Sequence, residues 1–494
     1  MRILYIDIDT LRPDHLGCYG YHRDTSPNID RVAAEGVRFN NCYVSDAPCL
    51  PSRAALYSGK CGIRNGAVNH GGEAADPYIN PDERQFKRPQ DRYTMQLRRA
   101  GYYPVTVSPF GERHSSYWFY DGFREMYNTG KSGGESAHEV VPVALDWLDR
   151  RGREDNWYLH VNVWDPHTPY RSPESIGNPF KNDPPPSWMT EELRLKSWNN
   201  YGPGTAQEPG GGYVPNPNAK PRPRQPLQID SMENYRKWID GYDCGTYYAD
   251  MHVGYILSKL EELDILDDTL IMVSSDHGEN QGELGIFGDH QTADHITNRV
   301  PMIVRHPKGL GGKGREDDAL HYQFDVTAML IEMLGGSVPG SWDAVSFFPA
   351  FAEERSAGRE FLVVSNCAWA CQRSVRWSDY LLMRTYHSGF HNFPDLMLYN
   401  LKDDPHETHD IAQMEPALVN EAICKLDQWA TDEMRRSKRT VDPMWIAMRE
   451  GGPFHARFTN PRFEQYKERL RETGRTEHAE DLERRRQRLT TWPH

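Results

Sequence analysis

Five short apolar runs punctuate the first 350 residues: RILYIDI at 2–8, YYPVTVS at 102–108, WYLHVNVW at 157–164, TLIMVSS at 269–275 and PMIVRH at 301–306. Each is rich in β-branched and aromatic residues and too short for a buried helix, so each predicts a buried strand. Between them, SPNIDRVAAEG (26–36) and YYADMHVGYILSKLEEL (247–263) space their apolar residues as helices do. Strands alternating with helices predict an α/β fold, a large mostly parallel sheet sandwiched by helices. Residues 170–235, with NDPPPSW and a long Pro/Gly-rich stretch, break the pattern and read as a surface insertion, a rim or partner contact. Beyond 355, FLVVS, SVRWSDYLLMRTY and DLMLYNL predict a smaller antiparallel sheet, and FEQYKERLRETGRTEHAEDLERRRQRL a solvated, charge-laced helix. The expected division is a larger α/β domain over 1–355, carrying the insertion, and an α+β subdomain over 356–494 with a helical tail.

Composition narrows the setting. The chain has 494 residues and a net charge of −14, with Lys and Arg dispersed, so neither a nucleic-acid partner nor a membrane span is expected. MRILYIDIDT reads directly as a strand rather than a signal peptide, which predicts a cytoplasmic protein unless a leader has been removed. The eight cysteines form no CxxC pair and fit a reducing compartment.

Polar residues gather where the strands end. Asp9 follows the first strand, Asp276 and His277 follow the 269–275 strand, and Asp165 and His167 follow the 157–164 strand. In open parallel sheets the ligand crevice lies at these carboxyl ends. Asp7, two residues back from Asp9, reads as a buried structural partner one layer deeper. Asp9 alone could be a helix cap, and His167 between prolines could simply order a loop. Together, two carboxylates and an imidazole make an oxygen-rich cation site suited to calcium, magnesium or manganese more than zinc.

In DAPCLPSRAALYSGK, Pro51 and the run after it predict a helix start, with a stop at Gly59. Cys49 then sits at or just before the helix N-terminus, which favours a thiolate or another anion, with Arg53 one turn along. A cation beside that terminus would help gather a tetrahedral oxyanion, and His167 could protonate a leaving group. Such a constellation transfers a sulfuryl or phosphoryl group from an ester.

CLPSRAALYSGK resembles the signature of the type I, formylglycine-dependent sulfatases, within the alkaline-phosphatase-like superfamily. YIDIDTLRPDHLGCYG, SPNIDRVAAEGVRFNNCYV, YYADMHVGYILSKLEELDILDDTLIMVSSDHGE and LMLYNLKDDPHETHDIA are similar to further segments of that family in the same order. The resemblance implies that a formylglycine-generating enzyme converts Cys49 to an aldehyde whose hydrate attacks sulfur. It implies a divalent metal, calcium first and magnesium or manganese next, held by Asp9, Asp276, His277 and residue 49. It implies Arg53 as the group that steadies the diol and His167 as the acid.

The family's second aspartate after strand 1 is here Thr10. Its Gly-Lys-x-His is replaced by SPFGERH, leaving Ser108, Arg113 and His114 as substitutes on the substrate side. Its sulfate-binding lysine falls on His290, ten residues before Val300-Pro301. A histidine there can still donate to sulfate, with a charge that varies near neutral pH. His70, after the Cys49 helix, could reach substrate, while His295 reads as a loop histidine.

Expected substrates are sulfated small molecules or oligosaccharides, with a carbohydrate sulfate of glycosaminoglycan origin preferred and homo-oligomerisation left open. The rival within the superfamily is a phosphonate monoester or phosphodiester hydrolase. The rival of another class is an inactive sulfated-glycan-binding protein. A Cys-dependent phosphatase would need five residues between Cys and Arg, where three stand here.

Overall fold

In the first strand, odd positions face one layer of the protein and even positions the other. Ile3 and Tyr5 pack with Leu56, Phe324 and Met329; Leu4, Ile6 and Ile8 pack with Val140, Leu148, Ile256 and Leu260. A strand buried on both faces reads as a nearly continuous apolar run, and its two acidic exceptions, Asp7 and Asp9, continue the odd-numbered face.

The structure, a computed structural model, describes residues 1–77, 91–211, 222–449 and 460–490. Residues 212–221 of the Pro/Gly-rich insertion and the last four residues of the expected tail lie outside these. In chain order the strands are β1 Arg2–Ile8, β2 Val37–Tyr43, β3 Asp46–Ala47, β4 Tyr103–Val107, β5 Glu125–Tyr127, β6 Trp157–Val163, β7 Thr269–Ser274, β8 Asn280–Gln281, β9 Phe287–Asp289, β10 Met302–Arg305, β11 Arg315–Tyr322, β12 Phe361–Asn366, β13 Cys371–Trp377, β14 Tyr380–His387 and β15 Leu396–Asn400. Eight form the large sheet in the order β11-β2-β10-β7-β1-β6-β4-β5. Strands β7, β1, β6, β4 and β5 run parallel, and only β10 is antiparallel to its neighbours. This is the expected α/β sandwich.

The second sheet has the order β15-β14-β13-β12-β3. Its last four strands in the sequence are antiparallel, as expected. Strand β3, from the far end of the chain, joins parallel to β12, with Ser365 opposite Asp46 and Asn366 opposite Ala47. The residues leading into Cys49 are therefore held by a sheet built more than 300 positions later. Among the described residues no helix is long and apolar enough to cross a membrane.

Three sequence readings are corrected by packing. The long helix runs Met232–Glu262, beginning at a cap where Ser231 Oγ accepts from Asn234 N at 3.2 Å rather than at 247. Its early turns bury Tyr235, Trp238, Ile239 and Tyr242 against Tyr170, Met189, Ala206 and Phe287. The insertion is thus not all surface, and residues 201–208 are buried. The charged tail is not one solvated helix but two, Asn460–Glu472 and Thr476–Thr490. They bury Phe463, Tyr466, Leu470, Ala479 and Leu482 against Tyr201, Trp369 and Phe390. Glu208 of the insertion accepts from Arg475 Nη2 at 2.6 Å and Arg469 Nε at 3.2 Å, which locks the two together.

His391 shows what this docking implies for stability. Its ring donates from Nε2 to Gln291 Oε1 at 2.6 Å, and burial pushes its pKa down to about 3. The unfolded chain takes up this proton near pH 6.5 while the folded one resists it, so stability rises with pH between about 3 and 6.5. His391 alone should remove about 2 kcal/mol of stability between pH 7 and pH 5. Urea unfolding at the two pH values checks this; His391→Gln should flatten the difference, and an unchanged slope would refute it.

Candidate active site

Three strand ends and one helix start meet at one rim of the large sheet. Asp9 follows β1 and its N–H donates to Val163 O, at the end of β6, at 2.8 Å. Asp276 and His277 follow β7, and His167 follows β6. The helix Cys49–Ser58 is buried along all ten residues and places Cys49 at its first position, with Pro51 in the first turn. It stops at Gly59, whose φ of +63° is left-handed and where a Cβ would lie 2.2 Å from the Trp342 ring.

One ligand atom each from Asp9, Cys49, Asp276 and His277 lie within 4.8 Å of one another, all in buried residues. His277 Nδ1 stands 2.8 Å from Gly278 O; a carbonyl only accepts, so Nδ1 carries the proton and the Nε2 lone pair faces inward. The Cys49 thiol donates to that Nε2 at 3.1 Å. Asp276 Oδ1 accepts from His277 N at 3.0 Å and Thr10 N at 3.3 Å. Thr10 adopts φ +58°, which is uncommon for a β-branched residue, and its carbonyl accepts from Tyr242 OH at 2.7 Å.

Arg53 is the counter-ion of the group. Its Nε and Nη2 donate to Asp7 Oδ2 at 3.2 and 3.0 Å, Nη2 to Asp9 Oδ2 at 3.3 Å, and Nη1 to Asp276 Oδ2. Its guanidinium carbon lies 4.7 Å from the Phe110 ring centre. Four donor contacts to three carboxylates leave one N–H for anything else. Asp7, expected only as a structural partner, therefore holds Arg53 in place; the i, i+2 spacing of Asp7 and Asp9 on one strand face was the available signal.

The electrostatics follow from burial. Burial would raise Asp7, but Arg53 and the His160 hydrogen bond outweigh it and hold Asp7 below the usual carboxylate range. Burial and then the charge of Asp276 push Asp9 well up. Burial, then Asp9 and Asp276, push the Cys49 thiol well up against the pull of Arg113 and Arg53. The helix start was expected to favour a thiolate. Burial first, and then the carboxylates around it, oppose that for residue 49 as cysteine.

Across the site, ligand atoms of His167 and His290 also lie within 4.8 Å of the thiol. The His290 ring sits 4.2 Å from that of His277 and 5.4 Å from that of His167. His290 N donates to Asp289 Oδ1 at 2.8 Å, and His290 O accepts from Asn366 Nδ2 at 3.0 Å. His167 Nδ1 donates to Thr168 O, and its buried Nε2 has no hydrogen-bond partner and stands 4.0 Å from Asp9 Oδ1. Burial, then Arg113 and His277, push His167 well below the usual imidazole value.

The remaining candidates separate. His70 Nε2 lies 3.5 Å from Leu50 N at the helix start, next to Cys49, and its ring is 5.0 Å from that of His114. Arg113 lies over Trp164 at 4.2 Å. Ser108, expected as a substrate-side substitute, donates to Asn162 Oδ1 at 2.9 Å and accepts from Phe110 N at 3.2 Å. Asp165 accepts from Ala137 N at 2.9 Å and anchors the start of the helix Ala137–Arg151, not the pocket. His295 pairs with Tyr43 OH at 2.8 Å.

A divalent cation fits these residues. Asp9 Oδ1 is buried without a partner, which is costly unless a ligand completes it. Three carboxylates face a single guanidinium, and the inward imidazole nitrogen is unprotonated. Carboxylate oxygens with one imidazole suit calcium, magnesium or manganese.

The Sulfatase family profile matches residues 2–336. An N-acetylglucosamine-6-O-sulfatase of Bacteroides thetaiotaomicron is 23% identical over 472 residues, covering 83% of this chain and 82% of that protein. The mouse iduronate 2-sulfatase is 26% identical over 349 residues, covering 62% of this chain and 59% of that protein. Among solved structures, one described as in complex with its substrate D-glucosamine-2-N,6-O-disulfate aligns with TM-score 0.66 at 19% identity, covering 90% of this chain and 99% of that one. The phosphonate monoester hydrolase of Agrobacterium radiobacter aligns with TM-score 0.64 at 19% identity, covering 87% and 96%. The profile match spans every strand end that reaches the pocket, and on it the chain belongs to the sulfatase family and is a sulfuric ester hydrolase.

Proposed function

We propose that this sulfatase acts on sulfate esters of carbohydrates, using residue 49 as formylglycine and a calcium ion held by Asp9, Asp276, His277 and residue 49. The observation that carries this reading is the side chain of residue 49, at the first position of a buried helix, within ligand reach of two carboxylates and an inward-facing imidazole nitrogen. The relatives named for hexosamine and iduronate sulfates support the carbohydrate class.

Formylglycine at residue 49 would supply a hydrated aldehyde able to accept the sulfuryl group on one oxygen and to release sulfate as the carbonyl re-forms. The calcium would neutralise charge gathered on the sulfate oxygens. The chain's own residues do the rest. Arg53 holds Asp7, Asp9 and Asp276 in register, and its remaining N–H is available to residue 49. His290 and Arg113 flank the sulfate, and His70 and His114 form the adjoining wall.

His167 donates a proton from Nε2 to the departing ester oxygen. In the free protein that nitrogen is bare, because burial and Arg113 disfavour the imidazolium. A bound sulfate ester brings a negative charge beside it and works in the opposite direction.

Parallel assays test the function. The enzyme should hydrolyse 4-nitrophenyl sulfate and sulfated hexosamines or uronates in preference to bis(4-nitrophenyl) phosphate and phenyl phosphonate esters. The peptide containing residue 49 should be about 18 Da lighter than the cysteine form when the protein is made in a host with the maturation enzyme. A preference for phosphorus esters would make it a phosphonate or phosphodiester hydrolase. Binding of sulfated glycans without turnover of any ester would make it a binding protein.

A further inference from the structure

Two arginines beside the pocket make no direct ion pair among the described residues. Arg113, over the Trp164 ring, donates from Nη1 to Gly133 O at 3.4 Å. Arg171, four positions after His167, donates from Nη2 to the same oxygen at 3.1 Å. Two like charges therefore converge on one carbonyl. The turn is shaped for them: Gly133 has φ +84°, and a Cβ there would lie 2.4 Å from Arg113 Nη1.

Among the described residues, no Asp or Glu oxygen comes within 4.0 Å of either guanidinium. The neighbouring acids are already engaged. Glu135 accepts from the N–H groups of Lys131 and Gly133, both at 2.7 Å, and Asp165 from Ala137 N. Arg171 Nε is buried and has no hydrogen-bond partner. Burial pulls Arg171 below its ordinary pKa against the opposing charges of Asp165, Glu135 and Asp9, and Arg113 adds to the lowering. A guanidinium held this way, half-buried beside another, is stabilised by an anion that accepts two parallel N–H bonds.

Both arginines bear on the pocket: the charge of Arg113 is felt by Cys49, Asp9 and His167, and Arg171 interacts with His167 and Asp9. Arg171 follows by four positions the histidine assigned to the departing group, whose ligand nitrogen lies within 4.8 Å of the Cys49 thiol, and it shares the Gly133 carbonyl with Arg113.

We propose that Arg171, with Arg113 beside it, forms a second anion subsite that reads a carboxylate or a second sulfate on the sugar leaving group. The enzyme then prefers sugar sulfates bearing two negative groups to those bearing one. This deepens the sulfate-ester reading above and rests on it.

The test is competition against 4-nitrophenyl sulfate turnover. The competitors are N-acetylglucosamine 6-sulfate, with one anionic group, and N-sulfoglucosamine 6-sulfate and a 2-sulfated hexuronate, with two. For the unmodified enzyme at least one two-anion sugar should inhibit about tenfold or more better than the one-anion sugar. A winning hexosamine would identify the second group as sulfate, and a winning uronate as carboxylate. Arg171→Gln should collapse the ratio toward one, and Arg171→Lys should keep part of it.

Equal inhibition by all three sugars in the unmodified enzyme overturns the subsite. So does an Arg171→Gln variant that weakens all three by the same factor, because a residue that only props the Gly133 turn would do that. An enzyme that leaves 4-nitrophenyl sulfate untouched overturns the sulfate-ester reading itself, so the two failures are distinct.

Discussion

Replacing Cys49 by alanine is expected to abolish hydrolysis of 4-nitrophenyl sulfate and of sugar sulfates alike, a loss of at least about 10⁴-fold in kcat. The side chain of residue 49 is the one group at the helix start that lies within reach of Asp9, Asp276, His277, His167 and His290 together. Alanine leaves helix, carboxylates and histidines in place but removes the atom that bonds to sulfur. The fold should survive, since the change deletes one small buried group and costs about 1 kcal/mol. Thermal unfolding and steady-state assays read the two effects separately. Residual activity above a few per cent of the unmodified enzyme would show that another group is the nucleophile.

Arg53→Met should produce the largest loss of stability, about 3–5 kcal/mol in metal-free buffer, because it leaves buried carboxylates without their partner. Asp7, Asp9 and Asp276 all lean on this one guanidinium. A divalent cation offers a second source of positive charge, so saturating calcium should restore part of the loss. Ligand at a hundred times its Kd contributes about 2.7 kcal/mol. Activity should still fall at least about 100-fold, because the carboxylates lose their register. Urea unfolding with calcium and with chelator checks this. Failure of calcium to stabilise either the variant or the unmodified protein over the chelator buffer would mean that no cation shares these acids.

Much of the pocket could be read from strand ends. Buried parallel strands are short apolar runs, so the polar residues that close them stand out, and Asp9, Asp276, His277 and His167 were found that way. Cys49 stood out because a helix start is a local signal. Asp165 misled for the same reason: a polar residue after a strand serves as well for capping a helix as for chemistry, and only the tertiary partner decides. The burial of residues 201–208 and of the tail helices is not legible, because their apolar partners lie in other elements: Tyr201 packs against the tail helices, and Ala206 against Tyr235 and Trp238. Arg53 was picked for its distance from Cys49, yet its main contacts are carboxylates from two other strand ends. The pressure against the expected thiolate belongs to the same class, since it comes first from burial and then from acids that follow β1 and β7.

The pairing of β3 with β12 bears on timing. Residue 49 is 1% exposed, and the two-residue strand just before it is clasped by a sheet whose other members begin at Phe361. A ribosome releases positions 46–49 long before it has made 361–400. Any catalyst that rewrites the side chain at 49 must reach it before the late-made sheet folds over β3.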